Sequence, residues 1–211
     1  MIYHDHYLHK NYLAVEEKFN DAYRVSSSRL QSWDYSSNGT YYITICTKNM
    51  ENHFGEIVKG IMILSEKGNI ANQYWKDIPD HFPFVNLDTF TIMPNHLHGI
   101  LEINNQIKKV TPSMHTGLNP DENPGSISIQ GKHEIRSMSS QMALISPKAG
   151  SLSTIIRSYK SAVKKWCTDQ HLKFNWHARY YDRIVRNMTE LEEIRKYIIQ
   201  NPEDWTKRKS K

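Results

Sequence analysis

The chain has 211 residues, 38% of them hydrophobic, and a formal net charge of +5. A mean hydropathy of −0.66 and the absence of any apolar run near the roughly 20 residues that a spanning helix needs argue against a membrane protein. This length sets one main domain with a real core as the expectation.

The two cysteines, Cys46 and Cys167, have no CxxC spacing, so they read as buried thiols of a reducing compartment. The opening MIYHDHYLHKNY has no charged-then-apolar layout, so export is not expected. Cytoplasmic residence follows, in association with the nucleoid if DNA is the partner. Charge is unevenly placed: residues 1–150 hold 13 Lys+Arg against 15 Asp+Glu, and residues 151–211 hold 14 against 7. A basic C-terminal block suits a polyanion such as nucleic acid, although surface lysines that only confer solubility give the same count.

Residues 1–28 read as an N-terminal extension with a short helix around Ala14 to Tyr23. Residues 29–205 form the main domain, and 206–211 a frayed basic tail. Asn38-Gly39 marks a turn, and Tyr41 to Thr47 (YYITICT) is β-branched and aromatic enough for the first core strand. Phe54 to Leu64 reads as a hairpin turning at Lys59-Gly60. Ile70, Tyr74 and Ile78 predict a helix from about Ser65, its cap, to Ile78, with Pro79 and Pro83 beyond it.

Thr89 to Ile103 (TFTIMPNHLHGILEI) holds two strand-forming runs around a Pro94-Asn95 interruption. Alternation puts Leu97, Leu101 and Ile103 on one face and His96, His98, Ile100 and Glu102 on the other. Two imidazoles at i and i+2 stand roughly 6–7 Å apart along a strand, close enough to lean onto one divalent ion. Two polar-face histidines are the bland alternative. An unpaired imidazole pair inside an apolar hairpin is costly, which favours a ligand there.

Residues 104–150 are rich in Ser, Asn, Gly, Pro and Gln and read as a flexible insertion, so His115 and His133 are discounted as ligands. Ser151 to His171 predicts a helix with Leu152, Ile155, Ile156, Ala162, Val163 and Trp166 as its apolar stripe. Arg157, Lys160 and Lys164 share a basic face, solvated or tracking phosphates. Phe174 to Asn187 mixes aromatics with Arg179, Arg183 and Arg186, and Ile184-Val185 suggests the last strand of the sheet. Those rings and guanidiniums suit unpaired bases and phosphates, or equally the core and its edge.

Thr189 to Asn201 predicts the last helix, with a Thr189-x-x-Glu192 capping box and Leu191, Ile194 and Ile198 buried. Pro202 is expected to end it, presenting the Asn201 amide at the terminus, one turn from Tyr197. An amide oxygen can complete a ligand set with His96 and His98. A phenol can attack a phosphodiester if a base, metal or cations offset its pKa of about 10.

These segments resemble the single-tyrosine HUH transposases, and more closely their REP-associated tyrosine transposase branch. The matching stretches are TYYITICTKN, FGEI, MPNHLHGILEI, the helix containing SYKSAV, YYDRIVRN and YIIQNPEDW, spread over most of residues 33–205. The resemblance implies an α+β, ferredoxin-like antiparallel sheet with helices packed on it and the HUH motif on a central strand. It also implies Mg²⁺ or Mn²⁺, hairpin-ended single-stranded DNA as substrate, and a 5′-phosphotyrosine intermediate with a free 3′-OH. His96 and His98 match the motif histidines, and Tyr197 the nucleophile. Asn201 falls where many relatives carry Gln. Tyr159 is a second candidate nucleophile that lies outside the YxxxN pattern. A non-catalytic single-stranded nucleic-acid-binding module, or a metal phosphodiesterase using activated water, are the competing expectations. Monomer and homodimer both fit.

Overall fold

The computed structural model describes residues 16–19, 22–25, 30, 32–106 and 148–209. Most of the expected insertion, residues 107–147, and its two histidines lie outside these residues. The chain divides into two compact units, Met1–Trp33 and Asp34–Lys211. In the first, β1 (Glu16–Phe19) and β2 (Ala22–Val25) pair antiparallel. Over Glu16–Phe19 and Ala22–Val25, the helix expected around Ala14 to Tyr23 is replaced by paired strands. Its weak apolar periodicity carries little information against strand pairing.

The second unit runs β3 (Gly39–Cys46), a 3-10 turn (Lys48–Met50), β4 (Gly55–Val58), β5 (Ile61–Leu64), α1 (Glu66–Lys76) and α2 (Ile78–His81). It continues with β6 (Val85–Met93), β7 (His96–Ile103), α3 (Leu152–Asp169), β8 (Tyr181–Val185) and α4 (Met188–Lys209). The main sheet has the order β6-β7-β3-β8, with every neighbouring pair antiparallel. With α1 between β3 and β6, and α3 between β7 and β8, this is the β-α-β-β-α-β ferredoxin-like arrangement. The fold is α+β, and β7, which carries the histidines, is an interior strand.

β4 and β5 form the expected hairpin around Lys59-Gly60, where both residues have positive φ. Ser65 caps α1 by accepting from the Gly68 amide at 3.1 Å. Ser151 caps α3 in the same way through Thr154. In α3 the buried stripe is Leu152, Ile155, Ile156, Tyr159, Val163 and Cys167. Ala162, expected inside, is exposed.

Helix α1 packs on the sheet face opposite His98. Trp75 is fully buried there against Gly99, and its ring meets Tyr159 of α3 edge-on at 5.2 Å. Helix α4 covers the histidine face, burying Leu191, Ile194 and Ile198 against Tyr42 and Ile100.

Two expectations for α4 are corrected. Its start is set by Asn187, whose Oδ1 accepts from the Glu190 amide at 2.9 Å, while Glu190 accepts from the Arg186 amide. The capping pattern is thus Asn187-x-x-Glu190, two residues before the Thr189-Glu192 frame, and Asn caps at least as well as Thr. The helix also continues through Pro202 to Lys209, so Asn201 is interior and residues 206–209 are helical. Pro202 forfeits one backbone bond, the one to the Ile198 carbonyl. Contacts on both sides of it hold the helix together, with Ile198 buried before it and Trp205 beside His96 after it. Among the described residues no helix is long and apolar enough to cross a membrane.

Candidate active site

Met93 and His96 face each other across the two-residue Pro94-Asn95 turn. That turn is buried because it is tied down: Pro94 accepts from the Phe54 amide at 2.9 Å, and Asn95 from the Thr47 amide at 2.9 Å. β7 therefore starts in a fixed register, and its two-residue period sends His96, His98 and Ile100 toward α4. His98 is 0% exposed and His96 7%. Their Nε2 atoms lie 3.0 Å apart.

Buried imidazoles need a partner on each nitrogen. His96 Nδ1 lies 2.7 Å from Asn95 Oδ1. The Asn95 amide nitrogen donates to the Met50 carbonyl at 3.0 Å, which leaves Oδ1 as acceptor and puts the His96 proton on Nδ1. His98 Nδ1 lies 2.8 Å from the Tyr42 hydroxyl and 2.9 Å from Thr44 Oγ1. A hydroxyl both donates and accepts, so His98 can carry its proton on either nitrogen. With the proton on Nε2, it donates to His96. With the proton on Nδ1, both Nε2 lone pairs aim at one point. Burial, and then the neighbouring Tyr197 phenol, push the Tyr42 hydroxyl well above its ordinary pKa, so it stays a neutral donor.

Tyr197, Asn201 and Trp205 are spaced four apart and form one stripe of α4 facing these rings. The half-buried Tyr197 hydroxyl is 3.5 Å from His98 Nε2, at the outer limit of a hydrogen bond. The Trp205 ring centroid is 5.7 Å from that of His96. Between them, Asn201 is 1% exposed, and neither of its amide atoms has a hydrogen-bond partner among the described residues. A buried unsatisfied polar group costs about 1–3 kcal/mol, so this amide lacks the partner its burial demands.

The resemblance implies a divalent ion here, and the residues fit one. A 3.0 Å separation of the two Nε2 atoms is the edge of an octahedron whose bonds are about 2.1 Å long. The orphaned Asn201 oxygen is a third donor. No three His, Cys, Asp or Glu side chains converge among the described residues, so the set that these residues offer an ion is a neutral one of two imidazoles and an amide.

The other singled-out residues lie elsewhere. The Tyr159 hydroxyl is buried and donates to the Ala71 carbonyl at 3.0 Å, and burial raises its pKa further. It is a packing residue between α1 and α3. Lys160 Nζ donates to the His177 carbonyl at 2.7 Å and Lys164 Nζ to that of Phe174 at 2.5 Å, while Arg157 is exposed. Arg183 shares the histidine face through its pairing with Tyr42, and it is ion-paired to Glu190 at 2.5 Å. Arg179 and Arg186 are exposed. Sequence reasoning missed Tyr42, Thr44 and Trp205 and read Asn95 only as a turn residue. Alternation would group 42 with 44, but only the β3–β7 register sets them against His98.

The class defined by this geometry is an antiparallel α+β sheet with two convergent imidazoles under a helix bearing a phenol and an unsatisfied amide. No family model matches the chain. It is 36% identical over 183 residues to an uncharacterized protein of Haemophilus influenzae, covering 85% of this chain and 88% of the other, and it belongs to that protein's family. Similar solved structures include a REP-associated tyrosine transposase bound to a REP hairpin, with a TM-score of 0.49 and 14% identity over 85% of this chain and 74% of that one. Another is a candidate transposase from Deinococcus radiodurans R1, with a TM-score of 0.33 and 14% identity over 83% of this chain and 98% of that one.

Proposed function

We propose that this protein is a metal-dependent endonuclease and strand transferase acting on hairpin-containing single-stranded DNA, with Tyr197 as nucleophile. The observation that carries this reading is the phenol 3.5 Å from an imidazole nitrogen that itself lies 3.0 Å from its partner, beside the partnerless amide of Asn201. The MPNHLHG and YIIQNP motifs, which give the resemblance, supply those same side chains.

His96, His98 and Asn201 would hold Mg²⁺ or Mn²⁺. Such an ion supplies Lewis-acid polarisation of the scissile phosphate. Tyr197 is held against His98 by the buried stripe of α4, which restricts its approach to one direction. Its oxygen forms a bond to phosphorus while the P–O3′ bond breaks. The phenol proton passes to solvent water and the departing 3′-oxygen takes one up from solvent, so the strand is left as a 5′-phosphotyrosine and a 3′-OH. The link conserves the bond, so attack by a 3′-OH reverses the step and rejoins strands.

Labelled hairpin single strands incubated with Mn²⁺ should give a denaturation-resistant protein–DNA band. Tyr197→Phe should abolish that band and leave binding nearly unchanged. A band that survives the substitution assigns the nucleophile elsewhere.

A further inference from the structure

On the opposite side of the sheet from Trp205 and Tyr197, helix α3 and the segment leading into β8 border an open cavity of about 440 Å³. One wall is a continuous α3 face carrying Ile156, Arg157, Lys160 and Lys164, and the other carries Trp176 and Tyr180. No Asp or Glu is among the described residues that line it. Three cations thus share a concave surface with two aromatic rings and no countercharge.

Part of that charge is structural. Lys160 Nζ is held by the carbonyls of His177, Ala178 and Arg179 at 2.7, 3.4 and 3.5 Å, and Trp176 Nε1 returns a bond to the Lys160 carbonyl at 2.9 Å. These bonds fix the wall and satisfy the ammonium's protons, but carbonyls carry no net charge to neutralise it. Burial accordingly pulls the Lys160 pKa down to about 8. An anion in the cavity would remove that penalty.

We propose that this cavity binds one nucleotide of a single-stranded nucleic acid, its phosphate between Arg157 and Lys164 and its base against Trp176, Tyr180 and Ile156. The volume lies within the range of small-ligand sites, and a cationic wall facing aromatic rings is the combination that holds unpaired nucleotides. The cavity uses none of the residues that hold the ion or attack phosphorus. It would anchor a strand remote from the cleaved bond. The assignment deepens the proposed function by taking the polymer to be single-stranded DNA, yet it can be tested without cleavage.

The test is anisotropy of a labelled short oligothymidylate with the full chain in EDTA, using Tyr197→Phe as background so that no adduct forms. Ser161 is exposed on the same wall, one turn from Arg157, so Ser161→Glu introduces a carboxylate that competes for the guanidinium without disturbing the core. Ser161→Glu should weaken binding about tenfold and Ser161→Gln less than about twofold, while Arg157→Ala should lower the salt slope by about one. Thymidine 5′-monophosphate should compete, and inorganic phosphate should compete much more weakly. Equal binding by the Glu and Gln variants, an unchanged salt slope for Arg157→Ala, or equal competition by inorganic phosphate overturns the nucleotide assignment. If Ser161→Glu does not fold, the salt slope of Arg157→Ala and the competition series decide. Loss of the covalent band with wild-type protein would refute the catalytic reading and leave these measurements standing.

Discussion

The two oxygens near His98 Nδ1, at 2.8 and 2.9 Å, differ from the single carbonyl oxygen facing His96 in one chemical respect. An amide carbonyl only accepts, so it locks one tautomer, whereas hydroxyls allow His98 to move its proton to Nδ1 when Nε2 is needed as a ligand. Tyr42→Phe combined with Thr44→Val removes both acceptors. Mn²⁺ affinity by calorimetry should then fall roughly 10–100-fold, the usual cost of losing such outer partners. Imidazole nitrogen chemical shifts should show His98 fixed as the Nε2–H form. Unchanged affinity would mean that the hydroxyls serve only packing. The donor set also ranks metals: two imidazoles and one amide oxygen, without a carboxylate, favour Mn²⁺ over the harder Mg²⁺. Binding of Mg²⁺ as tight as Mn²⁺ would mean that Asn201 and waters, not the imidazoles, dominate the site. The His96–His98 pair stands out in local spacing, whereas Tyr197 is singled out only through the resemblance and Asn201 by its place before Pro202. Tyr42 and Thr44 were not, since their role depends on a strand register set by residues more than 50 positions away.

At the scale of elements, the geometry depends on how β6, β7 and α4 hold one another. β6 carries an irregularity between Leu87 and Phe90, two residues opposite Ile100 alone, which re-aims Asp88. Asp88 pairs with Arg195 of α4, fastening the helix that carries Tyr197 to the sheet edge. The Arg195 guanidinium, opposed by partial burial and aided by Thr89, holds the Asp88 carboxyl below the usual carboxylate range. A depressed folded-state pKa means stability is present above the unfolded value of about 4 and is lost as pH falls through the lower folded value. Asp88→Asn should therefore lower Tm at pH 7, by an amount that shrinks as pH falls below about 4. A loss that stays constant with falling pH would show that shape, not charge, matters there. On the other face, a Cβ at Gly99 would overlap the buried Trp75 ring, so the glycine after the second histidine is a packing requirement. Gly99→Ala should destabilise by about 1–3 kcal/mol in denaturant melts. It should also weaken Mn²⁺ binding by displacing β7. The sheet's strands and the α1 cap were readable from alternation and from the placement of Ser65. The frame of α4 was not, because Asn187 and Thr189 both begin plausible capping patterns and Pro202 is overridden by packing on either side of it.

Across the whole molecule, the residues of the site are separated by about half of the chain, His98 and Tyr197 lying 99 positions apart. Nothing local brings them together. The βαββαβ order places β7 inside the sheet, and only the docking of α4 brings Asn201 beside the histidines, where it would complete the proposed ligand set. Such an arrangement couples ion binding to global stability, because an ion held by both β7 and α4 binds the folded chain and not the unfolded one. At a concentration 100-fold above Kd the gain is about 2.7 kcal/mol. For a chain of this size that corresponds to a rise in Tm of roughly 5–10 °C. Mn²⁺ should produce that rise, EDTA should reverse it, and His96→Ala with His98→Ala should remove it entirely. Asn201→Ala discriminates further, because it relieves an unsatisfied amide as well as deleting a donor. Its Tm without metal should equal or exceed that of the parent, while its Mn²⁺-dependent increment should shrink. A variant that loses stability without metal and keeps the full increment would place Asn201 outside the ligand set, and would leave α4 to contribute the phenol alone.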